Sequence, residues 1–196
     1  MFIKICGLTT PEATRTAVTA GADAIGFVFA ESPRRVSPER ATELCADVPD
    51  RIVRVAVMRH PSVAEWHAVR DGFAPDWLQT DAEDLAHLDI PSSCEPLPVY
   101  RTGRITADEA TGRLLYEGIE SGRGELADWS EAAEVAAQSE LILAGGLNPD
   151  NVGAAIAAVG PWGVDVSSGV ESAPGRKDPD KIIDFIARAR ATETLQ

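Results

Sequence analysis

Leu141-Ile142-Leu143-Ala144-Gly145-Gly146-Leu147-Asn148-Pro149 and, some twenty residues on, Val164-Asp165-Val166-Ser167-Ser168-Gly169 decide the reading of this chain. Each is a short apolar run that stops at small or polar residues, and the first opens into a helical pattern. Glycine lets a backbone approach an anion closely, and the N–H groups at a helix start meet it. One Gly-Gly pair is usually only a turn. Two such loops, spaced like successive strand-helix units, point to a shared phosphate site on Gly145, Gly146, Ser167, Ser168 and Gly169, provided that the fold makes the loops neighbours.

The flanking chain repeats the same unit. Phe2–Cys6 is a short apolar strand, and Thr10-Pro11 is an N-cap with its first helical residue, opening a helix that runs to Ala20 and stops at Gly21. Ala24–Phe29 is a nearly continuous apolar strand, as expected of a parallel sheet covered on both faces. Ser37-Pro38 starts the next helix, Ile52–Met58 is the third strand, and Ser62 with Glu65 forms a capping box for a helix ending near Gly72. Trp77–Thr80 is strand four, followed by a short helix over Leu85–Leu88. Strand five is Leu97–Tyr100, although Pro98 counts against it, and the fifth helix is reduced to a turn around Thr106–Ala110. Arg113–Glu117 is strand six, Gly118–Ala127 a polar loop, and Asp128 or Ser130 caps helix six. After Leu141–Ala144, Asn148-Pro149 starts a helix with Val152, Ile156 and Val159 on one stripe. Gly163–Val166 is strand eight. Asp178-Pro179 starts the last helix, with Ile182, Ile183 and Ile186 facing inward and Arg188 and Arg190 near its negative end.

Eight strand-helix units without a linker predict one domain over residues 1–196, a closed parallel (β/α)8 barrel of the α/β class. A doubly wound open sheet also satisfies the alternation. The count of eight favours closure, which puts the ends of strands seven and eight side by side. A chain of 196 residues with 44% hydrophobic content buries a sizeable core without disulfide or metal. Three scattered cysteines (Cys6, Cys45, Cys94) give no disulfide framework, and His60, His67 and His87 lack the spacing of metal ligands, so no metal and a reducing, cytoplasmic setting are expected. A net charge of −13 argues against nucleic acid as a partner. No apolar run is long enough to span a membrane, and no leader pattern precedes the first strand.

Several residues sit where strands end on the face of the glycine loops. Cys6 closes strand one and is either a base or nucleophile, if nearby dipoles lower its pKa, or a small buried hydrophobe. Glu117 closes strand six; it offers a carboxyl across the pocket or is a solvated loop residue. A base and an acid on facing walls suit proton transfers at two atoms of one substrate. Asp165 accepts from sugar hydroxyls or ties down its own loop. Arg34 or Arg35 offers a bidentate site for a carboxylate.

The chain resembles the phosphoribosylanthranilate isomerase family. Lys4-Ile5-Cys6-Gly7-Leu8-Thr9, Gly21–Phe29, Ser32-Pro33-Arg34, Ala144–Val152 and Val164–Glu171 carry the resemblance in order. It implies a TIM barrel without a cofactor that performs an Amadori rearrangement of a small phosphosugar-anthranilate substrate. It further implies Cys6 as general base at C2 of the sugar, Arg34 on the anthranilate carboxylate, the glycine and serine loops on the phosphate, and Asp165 on the sugar. The middle departs from the family pattern. Where members have Leu-Leu-Asp-Thr at strand six, this chain has Leu114-Leu115-Tyr116-Glu117, so strict counting puts Tyr116 in the acid's place and Glu117 one residue later. The family's Gln-Leu-His-Gly after strand four is replaced by Gln79-Thr80-Asp81, which makes Asp81 a substitute acid to weigh against Glu117. The readings left open are a non-catalytic or altered-specificity paralogue for another phosphorylated aminosugar, and a monomer or a homodimer.

Overall fold

The computed structural model describes residues 1–119 and 127–192. Eight parallel strands close on themselves in sequence order. They are β1 (Phe2–Cys6), β2 (Ala24–Val28), β3 (Val53–Val57), β4 (Trp77–Asp81), β5 (Glu95–Arg101), β6 (Arg113–Glu117), β7 (Glu140–Leu143) and β8 (Gly163–Val166). Closure is made by β1, which pairs with β2 on one side and with β8 on the other, with Lys4 opposite Asp165. The helices are α1 (Pro11–Ala20), α2 (Pro38–Leu44), α3 (Val63–Phe73), α4 (Trp129–Ala136), α5 (Val152–Val159) and α6 (Pro179–Ala191). A hairpin of β9 (Glu171–Ala173) and β10 (Arg176–Lys177) follows β8. The fourth connection is a 3-10 helix over Ala82–His87, and Thr106–Ala110 is only turns.

Local chemistry starts and stops these elements as the sequence dictates. Thr10 caps α1 through Ala13 N–H, and Gly21 ends it with a φ of 100°. Ser62 and Glu65 form the reciprocal box on α3, and Asp128, rather than Ser130, caps α4. Two expectations need correction. Asn148 and Asn151 build a hydrogen-bonded turn, so α5 begins at Val152 instead of at Pro149. Ile183 is half exposed, because the buried stripe of α6 is Ile182, Phe185, Ile186 and Ala189 and Ile183 falls one step off it. Part of the expected 118–127 loop, residues 120–126, lies outside the described residues.

Side chains alternate along each strand between two cores. Outward, Ile3, Ile5, Ile25, Phe27, Leu78, Leu114, Tyr116, Leu143 and Val164 pack under the helices. Burying one such Ile or Leu contributes about 1.5–3 kcal/mol. Inward, Ala24, Val55, Leu97, Val99, Leu115 and Ile142 fill the barrel. At the strand N-termini Phe2 stacks on Trp77 and Trp162, and the Arg113 guanidinium lies 4.6 Å from both indole rings. That end is plugged, which leaves the opposite end for a site. Pro98 is accommodated because β5 faces two partners differently. Its pairing with β4 starts at Glu95, whereas its pairing with β6 starts only at Val99, beyond Pro96 and Pro98.

Candidate active site

Cys6 is the last residue of β1 and points inward with Lys4, two positions before it, as the period of a strand requires. A cavity of about 170 Å³ opens above it at the strand C-termini. Gly26 on the neighbouring strand makes the room: a Cβ there would stand 3.1 Å from Cys6 Sγ and 3.2 Å from Lys4 Cε. Lys4 is completely buried and donates to Asp165 Oδ1 at 2.8 Å across the β1–β8 seam. Burial works against the Lys4 charge, but Asp165 and Cys6 overcome it and raise its pKa. Burial also pushes the Cys6 thiol up, more strongly than Lys4 and Lys177 draw it down. The lowered value expected of a basic thiol is therefore not present, and the groups that draw it down are the Lys4 and Lys177 ammonium ions rather than backbone dipoles.

Arg34, in the loop after β2, lines the cavity, as do Arg59 and Arg101. Arg34 Nε and Nη2 donate to Glu171 Oε1 and Oε2 at 2.7 and 2.9 Å. Gly7 makes that position possible, since a Cβ at Gly7 would lie 2.6 Å from Arg34 Cδ. Arg35, the alternative carboxylate ligand, does not line the cavity. Lys177, brought back by the hairpin, donates to Glu171 Oε1 at 2.9 Å and to the Ser167 carbonyl at 2.8 Å.

The two glycine loops are in contact. Gly145 and Gly146 have φ of 82° and 64°, conformations that favour glycine. A Cβ on Gly169 would fall 1.9 Å from the Leu147 carbonyl oxygen, so the loop after β8 rests directly on the loop after β7. Ser167 lines the cavity; Gly145, Gly146, Ser168 and Gly169 lie in the adjoining loops rather than in its lining.

The opposite wall carries the carboxyls. Glu117, in step with inward Leu115, lines the cavity, whereas Tyr116 points outward into the helix layer and is wholly buried there. Tyr116 is thereby removed as a candidate acid; burial also raises its pKa. Asp81 ends β4, lines the same cavity and is buried. Arg101, ending β5, contacts the Asp81 carboxylate and stands 3.3 Å from Glu117 Oε1. His60, on a backbone with φ of 45°, lies 3.3 Å from Asp81 and 3.2 Å from Asp84. These three residues bring their ligand atoms within 4.8 Å of one another, which the histidine spacing did not foretell.

The cavity thus brings together Cys6, Arg34, Asp81, Glu117, Asp165 and Ser167. Sequence reasoning missed Arg101 in its lining, and Lys4, Glu171 and Lys177, which contact lining residues from behind. Lys4 had a signal, its even spacing from Cys6 on a strand. Glu171 and Lys177 had none, because a hairpin carries them back to residues more than a hundred positions earlier. Among the described residues no helix is long and apolar enough to cross a membrane.

A family model described as N-(5'phosphoribosyl)anthranilate (PRA) isomerase matches residues 3–188. A protein of that name from Pelobacter propionicus is 38% identical over 207 residues, covering 98% of this chain and 97% of its own. The phosphoribosyl anthranilate isomerase of Thermus thermophilus superposes with a TM-score of 0.84 at 30% identity, covering 97% and 99% of the two chains. A phosphoribosyl anthranilate isomerase in complex with reduced 1-(o-carboxyphenylamino)-1-deoxyribulose 5-phosphate superposes with a TM-score of 0.77, again at 30% identity and with 97% and 99% coverage.

Proposed function

The chain belongs to the N-(5'-phosphoribosyl)anthranilate isomerase family, and from that premise we propose that it converts N-(5'-phosphoribosyl)anthranilate to 1-(2-carboxyphenylamino)-1-deoxyribulose 5-phosphate, with Glu117 as general acid and Cys6 as general base. Glu117 gives its proton to the ring oxygen as the C1–O bond breaks and the nitrogen lone pair forms C1=N. The open-chain iminium that results is the electron sink. The Cys6 thiolate takes the C2 proton, the C–H pair forms C1=C2, and the former C=N pair returns to nitrogen. The enolamine tautomerises to the ketone. Glu117 has then given one proton and Cys6 has gained one, so exchange with solvent restores both.

Recognition follows the same cavity. Arg34 holds the anthranilate carboxylate, and the backbone of Gly145, Gly146, Ser167, Ser168 and Gly169 holds the phosphate. Asp165, one oxygen of which accepts from Lys4, offers the other to the sugar hydroxyls. The observation that carries this reading is that Cys6 and Glu117 line one cavity together with Arg34 and Ser167. A base that must stay a free thiol suits the cytoplasm.

The test is turnover of phosphoribosylanthranilate by the purified protein and by Cys6→Ser, Glu117→Gln and Asp81→Asn. Loss of at least about 10²-fold in kcat is expected for the first two, the usual worth of a positioned acid or base. Full activity in Cys6→Ser removes the base assignment. Full activity in Glu117→Gln with loss in Asp81→Asn transfers the acid to Asp81.

A further inference from the structure

Neither Glu171 nor Lys177 performs a step of the proposed reaction, yet both are buried beside the site. Glu171 spends both carboxylate oxygens on cations and backbone: Arg34 Nε and Lys177 Nζ reach Oε1, while Arg34 Nη2 and the Gly175 N–H reach Oε2. A guanidinium has five N–H donors in a rigid fork. Binding through Nε and one Nη2 hydrogen uses the side edge and leaves three donors, two of them paired on the far edge. Arg34 is one of the residues that line the cavity.

The arginine is fixed along its whole length. Its stem crosses the bare Cα of Gly7, and its tip is gripped by Glu171. The hairpin that supplies Glu171 is pressed on the arginine's own loop, since a Cβ at Gly175 would stand 2.6 Å from the Pro33 carbonyl oxygen. Charge is arranged to the same end. Glu171 alone would cancel Arg34 and repel an incoming carboxylate. Burial draws the Lys177 pKa down, but its contact of 2.9 Å with Glu171 offsets the carboxylate, which leaves the Arg34 charge for a ligand. Lys177 also binds the Ser167 carbonyl, so a continuous chain of polar contacts runs from Arg34 through Glu171 and Lys177 to the loop after β8.

We propose that Glu171 is a positioning residue that presents the far edge of Arg34 to the aromatic carboxylate of the substrate and, through Lys177, sets its spacing from the phosphate loop. The proposal rests on the reading of Arg34 as the carboxylate anchor. A preorganised fork binds tighter than an arginine that the ligand must itself immobilise. The effect therefore falls on recognition of the carboxylate and not on the proton transfers.

The experiment compares kcat/KM for phosphoribosylanthranilate with that for the analogue carrying aniline in place of anthranilate, in the wild type, Arg34→Met, Glu171→Gln and Lys177→Met. The ratio isolates the carboxylate, because general damage to the protein cancels between the two substrates. In Glu171→Gln the preference for the carboxylated substrate is expected to fall about tenfold or more, through KM, with inhibition by inorganic phosphate unchanged; a tenfold loss is about 1.4 kcal/mol. Lys177→Met is expected to lower the same ratio. A wild-type ratio in a folded Glu171→Gln protein overturns the proposal. If the glutamine variant does not fold, Glu171→Asp keeps the charge on a shorter arm; an intermediate ratio supports the proposal and a wild-type ratio overturns it. Equal ratios in the wild type and Arg34→Met would instead bring down the anchor assignment, and the proposal with it.

Discussion

Replacing Gly169 by alanine tests the contact between the two anion loops directly. The added Cβ would sit 1.9 Å from the Leu147 carbonyl oxygen, 2.9 Å from its carbon and 3.0 Å from Asn148 Cα. All three obstacles are backbone, so no rotamer change relieves them. Reaching a tolerable separation near 3.0 Å requires the loops to part by about 1.1 Å, and overpacking of this kind costs about 1–3 kcal/mol. For a domain of this size each kcal/mol lowers Tm by about 2–4 °C, so a fall of about 2–12 °C is expected in a thermal melt. The functional loss should be larger in proportion, because a displacement of about 1 Å in a positioning element can cost about 10²-fold in rate. Steady-state kinetics with phosphoribosylanthranilate and inhibition by inorganic phosphate read that loss. An alanine variant with wild-type Tm, KM and phosphate inhibition would mean that the loops do not depend on this contact, and the argument for a shared phosphate site would fail.

Further expectations follow from individual contacts. Lys4→Met leaves Asp165 buried without its cation and should destabilise the fold by about 3–5 kcal/mol, measured by urea denaturation; Lys4→Met with Asp165→Asn should recover part of that loss. The Cys6 thiol is pushed above its ordinary value of 9.0, so the ionised fraction at pH 7 is below about one in a hundred. Activity in the free enzyme should therefore climb with pH through the range up to 9, and a flat kcat/KM profile between pH 7 and 9 would contradict a thiolate base. Gly7→Ala combines a φ of +74° with a Cβ 2.6 Å from Arg34 Cδ; KM should rise about tenfold or more as Arg34 is displaced, and an unchanged KM would dissociate Gly7 from the anchor. On the stability side, burial raises the Asp76 carboxyl, but Arg54 hydrogen bonds outweigh it and its pKa is net lowered. A depressed folded-state value means stability present above the unfolded value near 3.8 and lost as pH falls through the folded one. Asp76→Asn should therefore flatten the acid limb of the stability curve below pH 4.

How much of this was legible in the sequence can be traced residue by residue. Gly145, Gly146 and Gly169 announced their loops because glycine marks positions where nothing else fits, and barrel closure then made them neighbours. The position of Cys6 at a strand end was legible from the apolar run before it, but its part in the chemistry came only from the resemblance. The acid was harder. Counting along Leu114-Leu115-Tyr116-Glu117 by family pattern favoured Tyr116, whereas the inward step of Leu115 sends Tyr116 outward and Glu117 in. Side-chain alternation was the better guide to which residue faces the cavity, but it needs to be known which strand residue faces the barrel. The rest is long-range. Arg34 meets Glu171 across 137 positions, and Arg101 meets Asp81 only because β4 and β5 are neighbours in the ring. Neither pairing leaves a periodic trace. Ile183 shows the converse error, where an apolar residue beside a stripe was read as part of it.

Closure of the ring between β1 and β8 also has a consequence for birth of the molecule on the ribosome. Lys4, on β1, needs Asp165 on β8 as its counter-ion, and Arg190 reaches back from α6 to the carbonyls of Met1 and Gly21 and to Asp23. A nascent chain that has emerged as far as β7 holds a lysine with no partner, a thiol without Lys177 nearby, and an open sheet edge along β1. The last strand and helix therefore complete the charge balance, the edge and the catalytic pocket in one step. The pocket thus forms only after β8 and the hairpin behind it have left the ribosome and joined β1.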